Sequence, residues 1–278
     1  MPDIEEEFIR DCWYVAGWSG DFTHALKPLR ILDEPIVIFR TEAGVPAALE
    51  DACPHRKLPL SKGRLAGETV ECGYHGLTFD CSGACVRAPT QDGPPPAVTV
   101  RSYPVEDRWG ILWIWMGDAN KANPDKIFEI PNYDNPAWGS TQGGSMDIAC
   151  HYLYVIDNLL DPSHVAWVHV SSFAGAGTGN LPLDLEKLDD GIIVSRWVMD
   201  APPPPYYEPI LPFSGNCDRK QHYECRLPST AINMSVYTRA GTGGDNDALP
   251  DDAFLNISYN FMTPVDAENT RYFWFQHR

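Results

Sequence analysis

Two short stretches of the chain each offer one thiol and one imidazole: Asp51-Ala52-Cys53-Pro54-His55-Arg56 and Glu71-Cys72-Gly73-Tyr74-His75-Gly76. The spacing is C-x-H, sixteen residues, then C-x2-H. Three readings of such a set are open. Two thiolates can hold one iron of a [2Fe–2S] cluster while two neutral imidazoles hold the other, which raises the reduction potential above that of an all-cysteine cluster. The same four side chains could form a tetrahedral zinc site, or they could be core residues without a metal. Zinc fingers group like ligands, whereas each loop here carries one of each kind. That pairing, beside Pro or Gly at every ligand, favours the iron–sulfur reading. Pro54 stiffens the first loop. Gly73 and Gly76 let backbone N–H groups approach the sulfurs, where such bonds tune the potential. The Tyr74 hydroxyl could donate there too, or its ring could simply pack.

A second constellation follows in Asp157-Asn158-Leu159-Leu160-Asp161-Pro162-Ser163-His164-Val165-Ala166-Trp167-Val168-His169. Two histidines and a carboxylate within nine residues suit the two-His-one-carboxylate site of non-haem iron enzymes, which leaves positions open for oxygen. The alternative is a helix N-terminus with two incidental histidines. Residues five apart on a regular helix differ by about 140° around the axis. His164 and His169 therefore converge only if a helix expected from about Tyr154 to His169 kinks or ends between them. Pro162 could start a fresh helix with Asp161 as its N-cap.

The elements that must position these groups fall into two parts. Residues 1–118 are expected to form an all-β module of short strands spaced by Gly/Pro turns, including Ile36–Phe39, Ala47–Leu49, Val98–Tyr103 and Ile111–Trp115. Residues 119–278 are expected to form a second domain. A polar segment, Asp118–Asn135, links the two. Beyond it come a strand near Met146–His151, the helical stretch, and strands at Ile192–Met199, Ala231–Tyr237, Phe254–Phe261 and Tyr272–Phe275. The segments 171–180 and 240–252 are Gly-rich loops, and Pro202–Pro205 a stiff one. Trp167 and Phe173 could line a pocket. The fold class is α+β: an N-terminal all-β domain, then an α+β domain with an antiparallel sheet.

The chain carries 21 basic and 38 acidic residues, a net charge of −17. That charge repels phosphate backbones, so no nucleic-acid partner is expected. No run of about 18 apolar residues suggests a membrane span. The acidic MPDIEEEFIR start lacks the apolar core of a secretory signal, so the expected compartment is the cytoplasm. The eight cysteines are then expected as free thiols or ligands rather than disulfides, with Cys81 and Cys85 as packed thiols.

Several stretches resemble the Rieske non-haem iron oxygenases. They are Cys53-Pro54-His55-Arg56, Leu60-Ser61-Lys62-Gly63, Cys72-Gly73-Tyr74-His75-Gly76, Phe79-Asp80 with Gly83, and the D-N-L-L-D-x-x-H-x4-H run ending at His169. The likeness runs from Trp13-Tyr14-Val15-Ala16 to Tyr272-Phe273-Trp274 and is nearest to the vanillate O-demethylase and dicamba monooxygenase branch. High-potential Rieske proteins carry an extra cysteine in each ligand loop; Leu58 and Tyr74 stand near those places here.

The resemblance implies a Rieske cluster on Cys53, His55, Cys72 and His75, and a mononuclear Fe(II) on His164 and His169. It implies that Asp161 bridges His164 to His75 of a neighbouring subunit in a head-to-tail homotrimer, and that Asn158 stands beside the iron. A separate reductase or ferredoxin would supply electrons, with NAD(P)H and flavin entering only through it. The implied reaction uses O2 to hydroxylate or O-demethylate a small aromatic compound, an aryl methyl ether giving a phenol and formaldehyde. Ring cis-dihydroxylation needs the same ligands, and a non-catalytic electron carrier would need only the cluster. In the family the third iron ligand is an Asp on a helix after the last strands. No residue before Arg278 matches it, so the sequence is expected to be a fragment or a truncated product.

Overall fold

A computed structural model describes residues 8–89, 91–93, 95, 97–175, 178–244 and 249–278. Residues 1–7 of the acidic N-terminal stretch, and 176–177 and 245–248 of the two Gly-rich loops, lie outside the described residues. The chain forms two compact units. One comprises Met1–Glu129, Asp147–His151 and Thr263–Arg271; the other comprises Ile130–Met146, Tyr152–Met262 and Tyr272–Arg278.

The first unit contains β1 (Cys12–Trp18), β2 (Lys27–Ile31), β3 (Glu34–Arg40), β4 (Pro46–Glu50), β5 (Arg64–Ala66), β6 (Thr69–Glu71), β7 (Thr78–Phe79), β8 (Cys85–Arg87), β9 (Ser102–Tyr103), β10 (Val105–Arg108) and β11 (Ile111–Met116). They build three sheets, ordered β1-β11-β10, β2-β3-β4-β9 and β5-β6-β7-β8. The continuous apolar runs of β3 and β11 mark strands buried on both faces. Ile36 to Phe39 are 0% exposed, and Ile111 to Met116 no more than 2%. Each such Ile or Phe contributes about 1.5–3 kcal/mol.

The expected strand at Val98–Tyr103 is shorter: only Ser102–Tyr103 belongs to a sheet, and Thr99 makes an isolated bridge to Ala84. The reason lies in the backbone bonds. Cys85 N–H donates to the Val98 carbonyl at 3.0 Å and Val100 N–H to the Gly83 carbonyl at 2.8 Å. Gly83 has φ +83°, and a Cβ there would lie 2.0 Å from the Val100 carbonyl oxygen. The segment is thus tied to the turn before β8 rather than to a long ladder. The expected linker at 118–135 contains two 3-10 turns, Ala119–Lys121 and Pro124–Lys126, and buries Ile127 and Ile130.

The later part of the chain contains β12 (Gly144–Ile148), α1 (Tyr152–Leu160), α2 (Val165–Val168), β13 (Asp184–Leu188), β14 (Gly191–Ala201), β15 (Cys217–Arg226), β16 (Thr230–Arg239), β17 (Phe254–Asp266) and β18 (Asn269–His277). Its seven-stranded sheet runs β12-β18-β17-β16-β15-β14-β13. The α+β architecture with an antiparallel sheet is the one expected. Neither β13 nor β15 was. β15 reads CDRKQHYECR, a polar string, because its buried positions include Asp218 (0% exposed) and Arg219 (1%).

The expected continuous helix from 154 to 169 is instead two helices separated by Asp161–His164. Pro162 lacks an N–H and ends the ladder of α1. The Asp161 carboxylate then accepts from Ser163 N–H at 2.7 Å and from Ser163 Oγ. No described helix is long and apolar enough to cross a membrane.

Candidate metal centres and substrate cavity

The two thiol–imidazole stretches fold into nearly congruent turns. Cys53 N–H donates to the Leu58 carbonyl at 2.9 Å and Cys72 N–H to the Leu77 carbonyl at 2.8 Å. Lys57 N–H returns to the Cys53 carbonyl at 2.8 Å, and Gly76 N–H to that of Cys72 at 3.0 Å. Each turn needs a left-handed residue four positions after its cysteine: Lys57 at φ 56° and Gly76 at φ 74°. A third segment pins the pair. Asp51, 7% exposed, accepts from Ser61 N–H and Ser61 Oγ, both at 2.6 Å. Ser61 belongs to the Leu60-Ser61-Lys62-Gly63 stretch, and a Cβ on Gly73 would lie 2.8 Å from the Lys62 carbonyl oxygen.

This places the thiols of Cys53 (2% exposed) and Cys72 (3%) inside the module, close enough to hydrogen-bond. The rings of His55 and His75 lie at the surface with centroids 4.7 Å apart. Burial pushes the Cys53 thiol up. The His55 and Arg56 backbone N–H groups pull it down, and Cys72 pushes it up again. Two sulfurs within, two imidazoles without, and N–H groups aimed at sulfur fit a [2Fe–2S] cluster with mixed ligands. Tyr74 is half exposed, and its ring centroid lies 3.9 Å from that of His75. All eight cysteines are free.

In the second unit, His164 opens α2 and His169 closes it. His169 has already left the helix, at φ −112° and ψ 16°, so the regular-helix offset does not apply. The two ring centroids are 5.3 Å apart at 71°. His164 Nδ1 meets Asp161 Oδ2 at 3.1 Å, which leaves Nε2 free to ligate. Burial and the neighbouring His164 both lower the pKa of His169, favouring the neutral form that binds metals. The pair fits the histidine half of a two-His-one-carboxylate site. No third metal-binding side chain joins it among the described residues.

These groups border a cavity of about 420 Å³, within the range of small-molecule sites. Asn158, Asp161, His164, His169 and Phe173 line it. Trp167 does not: its side chain is 81% exposed. The floor comes from the sheet, whose register sets facing residues in rows. Gln221, Ser235 and Asn256 face one another in one row of the lining, and Tyr223, Asn233 and Ser258 in the next row on that face. Asn233 Nδ2 also donates to the Leu159 carbonyl at 2.9 Å, tying the floor to α1. These floor residues escaped the sequence reading, because only a strand register brings them together.

Residues 12–104 match the Rieske [2Fe-2S] domain family, and residues 148–278 match the vanillate O-demethylase oxygenase C-terminal domain family. The class of protein is therefore a Rieske oxygenase component. The chain is 35% identical over 272 residues to the iron–sulfur subunit of a toluene-4-sulfonate monooxygenase system of Comamonas testosteroni, covering 96% of this chain and 78% of that protein. It is 36% identical to a vanillate O-demethylase oxygenase subunit of a Pseudomonas species, covering 96% and 76%. A crystal structure of dicamba monooxygenase bound to 3,6-dichlorosalicylic acid superposes with a TM-score of 0.87 at 30% identity, over 98% of this chain and 78% of that one. The chain belongs to the oxygenase components of multicomponent Rieske monooxygenases, oxidoreductases of the vanillate O-demethylase type.

Proposed function

We propose that this chain uses O2 and electrons from a separate reductase or ferredoxin to hydroxylate or O-demethylate a small aromatic compound. The observation that carries this reading is the His164–His169 pair on the wall of a 420 Å³ cavity, in a chain that also sets Cys53 beside Cys72 and His55 beside His75.

When bound, the [2Fe–2S] cluster supplies electrons one at a time and the mononuclear iron supplies oxygen activation. The protein's own groups do the positioning. Cys53 and Cys72 would hold the buried iron of the cluster, and His55 and His75 the outer one. Asp161 fixes the His164 ring through Nδ1 so that Nε2 is presented as ligand. The cavity would hold the aromatic ring beside the two imidazoles, with Phe173 stacked on His169 at 4.5 Å between ring centroids. Asn158 borders the same space. The chain would assemble as a head-to-tail trimer in which Asp161 bridges His164 to His75 of the partner subunit, setting the two metal sites close together. The exposed Trp167 and Val168, 81% and 68% accessible, suit such an interface.

Incubation of the holoenzyme with reductase, NADH and a panel of methoxybenzoates is expected to consume oxygen and release formaldehyde. Absence of both across a broad aromatic panel would overturn the proposal. Labelled-oxygen product analysis separates it from ring dihydroxylation.

A further inference from the structure

Arg196 stands on β14 directly opposite Gln221 of β15 and is 3% exposed. Its guanidinium donates in three directions: Nε to Gln221 Oε1 at 2.7 Å, Nη1 to the Thr178 carbonyl at 2.7 Å and Nη2 to the Pro162 carbonyl at 3.1 Å. The acceptors belong to separate parts of the candidate iron site. Gln221 lines the cavity. Pro162, a buried residue, lies in the break between α1 and α2, next to Asp161 and just before His164. Thr178, 0% exposed, lies in the segment that follows His169.

Each of these bonds has a physical reason. Buried backbone carbonyls need a donor, and Pro162 and Thr178 are buried. The last carbonyls of a helix have no partner within it. At the end of α1 the sheet answers: Asn233 Nδ2 donates to the Leu159 carbonyl at 2.9 Å, and the Arg196 cation sits just past the helix C-terminus, where the dipole favours positive charge. These two bonds bracket Asp161. The Asp161 carboxylate itself bonds to Ser163 and His164, within its own segment. Those bonds shape the break but do not fix it to the sheet. Arg196 does, and it holds the far side of α2 with the same group.

We propose that Arg196 is a positioning residue for the mononuclear iron: its bonds to Pro162, Thr178 and Gln221 fix the His164–His169 pair against the cavity floor. This rests on the oxygenase reading of the cavity. Geometry rather than charge is what Arg196 supplies. The guanidinium is a rigid fork that reaches its acceptors from three nitrogens, whereas a lysine ammonium keeps the charge but issues every bond from one.

The test uses cluster-loaded protein stripped of its mononuclear iron and titrated with Fe(II). Arg196→Lys and Arg196→Met are each expected to raise the Fe(II) Kd about tenfold or more. Both should alter the EPR signal of the bound Fe(II) after addition of nitric oxide, and leave the reduced-cluster signal unchanged. In iron-free protein, amide exchange across 161–169 should quicken about tenfold. Asp218→Asn is the control for general loosening of the sheet, because Asp218 serves the Asp200, Gly241 and Gly243 N–H groups instead. It is expected to lower the melting temperature and keep the parent's Kd. Arg196→Lys, the milder change, decides the matter if Arg196→Met does not fold. A parental Kd and nitric oxide signal in Arg196→Lys overturn the proposal and leave the oxygenase reading standing, as does an equal loss of iron affinity in Asp218→Asn. Fe(II) binding that His164→Ala does not weaken removes the oxygenase reading itself, and this proposal with it.

Discussion

Asp161 and His164 are joined at 3.1 Å, Oδ2 to Nδ1, across the break between α1 and α2. The other carboxylate oxygen is held by Ser163. Asp161 is therefore spoken for on both sides by groups that orient it toward the ring rather than toward a metal. This arrangement supports the proposal that Asp161 positions His164 rather than ligating the iron itself.

Asp161→Asn is expected to lower turnover about 10–100-fold while both metals stay bound. Iron analysis with single-turnover kinetics checks this. Loss of the mononuclear iron from the variant would make Asp161 a ligand instead.

Cys72→Ser is expected to abolish the reduced-cluster EPR signal and lower the iron content from about three per chain to about one. The remaining iron belongs to His164 and His169. Retention of all three would place the cluster elsewhere.

Gly63→Ala is expected to strip the cluster without touching any ligand. A Cβ there would lie 2.0 Å from the Glu71 carbonyl oxygen and 3.0 Å from that of Leu60. The turn must move away from the residue just before Cys72, at a cost of about 1–3 kcal/mol. Visible absorbance per chain reads the loss, and an unchanged spectrum would contradict the packing argument.

Asp218→Asn is expected to destabilise the catalytic sheet by about 1–3 kcal/mol at pH 7. Burial pushes the Asp218 carboxyl up, but backbone N–H groups of Asp200, Gly243, Gly241 and Thr242 outweigh that and hold its pKa below the ordinary value. The native group therefore binds its proton less readily than the unfolded one. Its contribution is complete above the unfolded pKa of about 3.9 and is lost as pH falls through the lower native value. Denaturation of parent and variant from pH 7 to pH 2 should show a constant gap that narrows only below about pH 4. A gap that widens on acidification would contradict the assignment.

Both candidate ligand sets were legible in the local sequence because their residues are close along the chain. Cys53 and His55 share one turn, Cys72 and His75 another, and His164 and His169 flank four residues, so ligand chemistry and turn chemistry could be read together. Apolar runs such as Ile36–Phe39 and Ile111–Trp115 likewise announced buried strands, since burial on both faces leaves only one kind of residue. Register was not legible. The seven-stranded sheet sets Arg196, Gln221, Ser235 and Asn256 side by side from four strands, and nothing within any one strand marks that row. The long β15 was hidden for the same reason: its polar residues are buried by neighbours far away in sequence. Where α1 stops and how His169 leaves its helix are consequences of packing, which only the folded chain decides.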